Sequence, residues 1–149
     1  MKYKIPVSVL VLVHTPELKV LLLERADRPG FWQSVTGSQH EGESLAETAV
    51  RELREETGLD AACYGLTDWH KQNRFEIYRT WRSRYAPGVT HNLEHVFGLC
   101  VPQELPVTLE PREHLRYEWI SWEAAAKKVF SWTNVEAIQE LPWRTAKKT

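Results

Sequence analysis

Glu52 and Glu56 stand four residues apart in the run Arg51-Glu52-Leu53-Arg54-Glu55-Glu56-Thr57-Gly58-Leu59. On a helix, two ionised carboxylates at that spacing repel each other. Nothing in the spacing relieves the repulsion, and a bound divalent cation would. Hard cations such as Mg²⁺ take oxygen ligands, keep several waters and bridge to substrate phosphates, so two or three clustered carboxylates suffice to hold one. The competing reading of a glutamate-rich helix is a solvated face with i,i+4 ion pairs. It fits Glu47 with Arg51, and Arg51 with Glu55, better than it fits Glu52 and Glu56.

A loop and a helix must position these groups. Gly37 and Gly42 bracket a polar loop, Ser44 is placed as N-cap, and Gly58 is placed as the left-handed residue that ends the helix. The helix between them has about 14 residues, an ordinary length. At ~100° per residue from Leu45, the apolar Leu45, Ala46, Ala49, Val50 and Leu53 share an arc from about 0° to 140°. Glu56 falls near ~20° and Glu52 near ~340°, flanking the buried stripe, whereas Glu47, Arg51 and Arg54 face the back at roughly 180° to 240°.

Gly37, Glu43, Arg51, Glu52, Leu53, Glu55, Glu56, Gly58 and Leu59 together meet the pattern G-x5-E-x7-R-E-U-x-E-E-x-G-U, with U a bulky aliphatic. In this the chain resembles the Nudix hydrolases. The resemblance implies an α/β (α+β) fold, an α/β/α sandwich with a mixed β-sheet and the Nudix loop-helix-loop. It also implies Mg²⁺-dependent hydrolysis, with Mn²⁺ as a possible substitute, of a diphosphate linked to another group. Such hydrolysis needs a cation to screen charge, a water aligned on phosphorus, and a base or metal to activate that water. Glu52 and Glu56 are the metal ligands, and Glu55 is either a ligand or the base. Glu113 is a further metal and catalytic candidate because related enzymes recruit a carboxylate from outside the box; ordinary surface charge is its competing reading. Arg51 is expected to orient the box carboxylates.

The length of 149 residues fits a single domain, 1–149. A formal net charge of −1 sets up no general field for polyanions, so nucleic acid is not the expected partner. Cys63 and Cys100 lack any metal spacing and read as buried thiols in a reducing cytoplasm. Lys2 and Lys4 ahead of the apolar Val7–Val13 briefly imitate a secretion signal, but the β-branched run and absent cleavage site favour a first strand. No stretch is long enough to span a bilayer. The expected setting is therefore cytoplasmic, with no membrane partner.

Val7–Val13 and Lys19–Glu24 read as a hairpin around His14-Thr15-Pro16-Glu17, apolar enough to be covered on both faces. Asp27-Arg28-Pro29-Gly30 is a turn. Asp60–Leu66 and Asp68–Asn73 read as a short strand and a connection. Arg74–Tyr85 alternates as a strand, and Leu93–Val101 is another whose Glu94 and His95 are expected at the sheet edge. Pro102–Arg112 is a loop and Glu113–Ile120 a strand. Ser121–Val129 is a helix, and a last helix starts at a Thr133/Glu136 capping box and runs to Leu141, before Pro142.

The box leaves the substrate open. Phe31–Ser38, Arg84–Thr90, Glu113-His114-Leu115 and Ser131-Trp132 with Asn134 resemble the members of the family that act on a pterin triphosphate in folate biosynthesis. That resemblance implies substrate contacts at Lys4, Arg25, Thr36, Phe75, Glu76, Ile77, Tyr78 and Ser131. The chemistry is compatible, since a flat pterin needs aromatic faces and a triphosphate needs Lys and Arg. Most of the seven tryptophans are expected in the core. Where many family members carry Pro-Gly-Gly this chain has Val35-Thr36-Gly37; the Thr36 hydroxyl can donate to a phosphate or ring oxygen, and the competing reading is a β-branched residue that merely extends the strand. A dNTP pyrophosphatase of the nucleotide pool shares the box, and a Nudix-fold ligand sensor without catalysis is the reading from another class; the intact carboxylates weigh against it.

Overall fold

The computed structural model describes residues 2–145. Its centre is β1 (Val7–His14), which is buried along nearly its whole length because it is covered on both edges and both faces. One edge pairs in parallel with β6 (His91–Cys100); the other pairs antiparallel with β4 (Val35–Ser38) and, at the hairpin end, with β2 (Lys19–Arg25). The short β3 (Trp32–Gln33) pairs with the end of β2, β7 (His114–Ser121) runs along the opposite edge of β2, and β5 (Leu66–Glu76) closes the far side against β6. The sheet is thus seven-stranded and mixed.

Two apolar layers follow from the period-two alternation of the strands. Val9, Val11, Leu21, Leu23, Phe97 and Leu99 pack with Leu53 of α1 (Leu45–Thr57) on one face. Leu10, Leu12, Val20, Leu22 and Val96 pack with Ala125 of α2 (Trp122–Lys128) and Ile138 and Leu141 of α3 (Trp132–Thr145) on the other. The expected helix–sheet–helix sandwich is present. No helix among the described residues is long and apolar enough to cross a membrane.

Several local expectations are corrected. Asp60–Leu66 holds a 3₁₀ turn, Ala61–Cys63, and Asp68–Asn73 belongs to β5, bulged between Asp68 and Lys71 where His70 has φ 53°. β5 stops at Glu76, and Arg79–Arg84 forms a 3₁₀ turn in which Arg82 donates to the Ile77 carbonyl. Alternation alone did not register that stop. Glu94 lies in the middle of the sheet, between β1 and β5, and only 5% of it is exposed. The α3 N-cap is Ser131, whose hydroxyl accepts from the Asn134 N–H, while Glu136 is drawn away to Lys71. The helix continues through Pro142, which removes one backbone donor close to its end. Cys63 and Cys100 are free and exposed. Of the tryptophans only Trp32 and Trp69 are buried, and Trp132 and Trp143 are conspicuously exposed.

Candidate active site

Ser44 and Glu47 form a reciprocal capping box at the start of α1, and Gly58, at φ 77°, ends it with its N–H on the Arg54 carbonyl. Glu47 is occupied by the cap, so the expected Glu47–Arg51 pair is replaced. Arg51 reaches instead from the back of the helix to Glu43 through two bonds of 2.7 and 3.0 Å, to Glu52 at 2.7 Å and to the Ser38 carbonyl at 2.9 Å. Its contact with Glu55 is longer, at 3.3 Å. One guanidinium therefore ties the loop to the helix and holds Glu52, as its expected orienting part requires. The Arg51 bonds hold the Glu43 carboxyl down at about 2.

Gly37 lies against Glu52: a Cβ there would sit 2.0 Å from the Glu52 carboxyl carbon. Glu56 is 1% exposed and neither carboxylate oxygen has a hydrogen-bond partner. Burial, then the neighbouring Glu52 and the charge of Glu113, push its carboxyl well above the ordinary range. His114 Nε2 comes to 3.6 Å of Glu56 Oε1 without relieving it. Arg25 donates to Gln33 Oε1 at 3.0 Å, which leaves the Gln33 amide nitrogen, 3.4 Å from His114 Nε2, as the donor between those two. Burial and the charge of Arg25 push His114 down to about 4, so the ring is neutral. Glu113 is exposed, and its carboxyl is raised by partial desolvation and by Glu52 and Glu55.

These carboxylates border a cavity of about 1270 Å³. Lys4, Arg25 and Arg84 line the same cavity. Asp27 takes two bonds from Arg25, 2.8 and 2.7 Å, and one from Arg84 at 3.1 Å, which hold its carboxyl at about 2. Arg25 also lies 4.4 Å over the Trp81 ring, which stacks on Tyr78 at 5.1 Å. Lys4 is fixed by its backbone N–H on the Arg84 carbonyl. Burial, then Arg84, lower the Lys4 pKa, while Glu52 and Glu113 oppose the shift. The ammonium thus lies between the arginines and the acidic box.

Every residue singled out in the sequence lines this cavity: Glu52, Glu55, Glu56, Glu113, Lys4, Arg25, Thr36, the segment Phe75–Tyr78, and Ser131. Besides Arg25, Glu52 and Glu55, three more have protein partners. Thr36 Oγ1 donates to the Val9 carbonyl at 2.9 Å, Ser131 caps α3, and Glu76 pairs with Arg82 at 2.6 Å. Thr36 therefore faces the cavity with an oxygen whose hydrogen points away. Sequence reasoning missed His114 beside Glu56, and Glu94 and Asn92 in the cavity lining. The one available signal for the last two was polar residues in phase with buried Val96 on β6.

The sequence matches the NUDIX domain over residues 4–141. The chain belongs to the Nudix family. Among its relatives this Nudix chain is 45% identical to the dihydroneopterin triphosphate diphosphatase of Escherichia coli over 93% of each chain. It is 41% identical to the enzyme of the same name from Haemophilus influenzae, over 94% of this chain and 89% of the other. A solved structure of the E. coli dihydroneopterin triphosphate pyrophosphohydrolase superposes with a TM-score of 0.90, at 42% identity, covering 97% and 99% of the two chains. A Nudix hydrolase from Listeria monocytogenes at 21% identity shares the fold, with a TM-score of 0.77.

The residues of the box suit a divalent cation. Glu56 has two buried oxygens without protein partners, Glu52 is fitted against a glycine that leaves its carboxylate room, and the whole donor set is hard oxygen. Among the described residues no group of three ligating side chains is already drawn into a closed cage. An ion that keeps several waters, as Mg²⁺ does, needs no such cage.

Proposed function

We propose that this chain hydrolyses 7,8-dihydroneopterin triphosphate to the monophosphate and diphosphate, as a step of folate biosynthesis in the cytoplasm. The observation that carries the reading is near-full-length likeness to two enzymes of that name, joined to a cavity lined both by the box carboxylates and by Lys4, Arg25 and Arg84. The triphosphate fits between them. Arg25 and Arg84, braced by Asp27, hold phosphate oxygens from one side, and Lys4 reaches the same chain from its backbone anchor.

Glu52 and Glu56, with Glu113 from β7's leading edge, hold the cation, for which Mg²⁺ is the proposed ion and Mn²⁺ a substitute. When bound it screens phosphate charge and acidifies a water. Glu55, the least buried box carboxylate, has only the 3.3 Å contact with Arg51 and is free to take the water's proton. Arg51 keeps Glu52 in place. Tyr78, Phe75 and Trp132 supply flat apolar surface for the pterin. The partner is a small molecule, with no part for nucleic acid or a membrane.

Purified protein with Mg²⁺, the pterin triphosphate and the four common dNTPs in parallel, scored for diphosphate release, tests the proposal. Turnover of the pterin compound supports it. Turnover confined to dNTPs gives the nucleotide-pool reading instead, and turnover of nothing gives the sensor.

A further inference from the structure

The mechanism leaves one buried carboxylate unused. Glu94 sits on β6 in register with Ser8 of β1 and Asn73 of β5, and it lines the cavity. It is 5% exposed, and its Oε1 has no protein hydrogen-bond partner. Asn92, two residues earlier on the same face, donates to Ser8 Oγ at 2.7 Å and keeps its own Oδ1 buried and unpartnered. Two buried acceptor oxygens on one face of β6, Glu94 Oε1 and Asn92 Oδ1, thus receive no hydrogen bond from the described residues, and both side chains line the cavity. Burial pushes the Glu94 carboxyl up to about 7, with only the Thr133 hydroxyl favouring the ionised form. An unsatisfied buried acceptor costs stability, and a ligand donor repairs it. Phe75 registers with Asn92 and lines the same cavity, providing an apolar neighbour for a flat ring.

Resting on the reading that the ligand is a ring-bearing triphosphate, we propose that Glu94 recognises the ring. Its carboxylate accepts two parallel hydrogen bonds from the ring N–H and adjoining exocyclic amine of a 2-amino-4-oxopyrimidine edge, as found in pterins and guanine. That edge is distinctive. Adenine and cytosine place an acceptor nitrogen beside their amine, and thymine flanks its single N–H with carbonyls, so each sets a lone pair against the carboxylate. Asn73, beside Glu94 in register, keeps an unpartnered Nδ2 but does not line the cavity, so it cannot substitute for the ligand's donors at the cavity face.

Calorimetric dissociation constants for dGTP and dITP, with Ca²⁺ in place of Mg²⁺ to suppress turnover, test this directly, because dITP lacks only the 2-amino group. The wild type binds dGTP more tightly by roughly ten- to a hundredfold, the scale of a charge-assisted bond. In Glu94→Gln the ratio falls toward about one, since Gln offers a single acceptor and sets a donor against the amine. Glu94→Asp, which keeps the charge but withdraws it by a methylene, lowers the ratio too and covers the case in which Glu94→Gln fails to fold. Asn73→Ala leaves the ratio high. Equal binding of dGTP and dITP by the wild type, or an undiminished ratio in the folded Glu94 variants, overturns the proposal. Because binding is read without turnover, a failure of the proposed reaction appears separately, in the diphosphate assay.

Discussion

Replacing Glu56 by Gln should raise the stability of the metal-free protein while removing its response to Mg²⁺. Glu56 is almost wholly buried, its oxygens are unpartnered, and its carboxyl is pushed up first by burial and then by Glu52. The sign follows from linkage. A carboxyl whose folded pKa exceeds its unfolded value costs stability once pH rises above the unfolded value, so the wild type carries that cost at neutral pH. Gln has the same shape, carries no charge and donates to Glu52. Removing an uncompensated buried group is worth about 1–3 kcal/mol, and at ~2–4 °C per kcal/mol for a chain of this size the metal-free Tm rises by several degrees. Saturating Mg²⁺ removes most or all of the variant's advantage, since an ion at about a hundred times its Kd stabilises the wild type by about 2.7 kcal/mol and the variant by much less. Thermal melts of both proteins in EDTA and in Mg²⁺ read all four values. A variant that melts lower than wild type in EDTA, or gains equally from Mg²⁺, refutes the reasoning.

Other consequences follow from the same geometry. Gly37→Ala places a methyl where the Glu52 carboxylate lies, and a displacement of that order lowers kcat/KM by about 10²-fold, read with a melt that stays near wild type. Asp27→Asn unclamps Arg25 and Arg84, so KM for a triphosphate rises by about tenfold with a smaller effect on kcat, checked by steady-state kinetics. Glu43, held near 2 against an ordinary 4.5, contributes stability present above pH 4.5 and lost as pH falls toward 2. Arg51→Ala should therefore flatten the acid limb of a stability profile between those values. Leu53→Ala, at a fully buried position under α1, costs about 2–5 kcal/mol in chemical denaturation.

The box was legible in the sequence because its logic is local. Turn, cap, helical period and carboxylate spacing all act within Gly37–Leu59, and α1 forms between the expected Ser44 and Gly58 caps. Arg51 shows the limit of a wheel: it sits at the back as expected, but a long side chain reaches round to Glu43 and Glu52. Glu94 was placed at an edge because strand order is a property of the whole chain, and the parallel β1–β6 pairing that buries it joins residues far apart in sequence. His114 was likewise invisible as a neighbour of Glu56, because β7 docks on β2 rather than on anything near it in the chain. The aromatic and basic wall was recognisable as composition, yet the 3₁₀ turn that stacks Tyr78 on Trp81 beneath Arg25 was not.

The central claim, that the cavity selects a pterin triphosphate for metal-assisted hydrolysis at Glu52 and Glu56, is tested most directly by competition. Equal concentrations of dihydroneopterin triphosphate and dGTP are mixed with limiting enzyme and Mg²⁺, and the ratio of the two monophosphates formed early in the reaction gives the ratio of their kcat/KM values. The account predicts a ratio well above ten in favour of the pterin, abolished together with all turnover in Glu56→Gln. A ratio of one or below would contradict it.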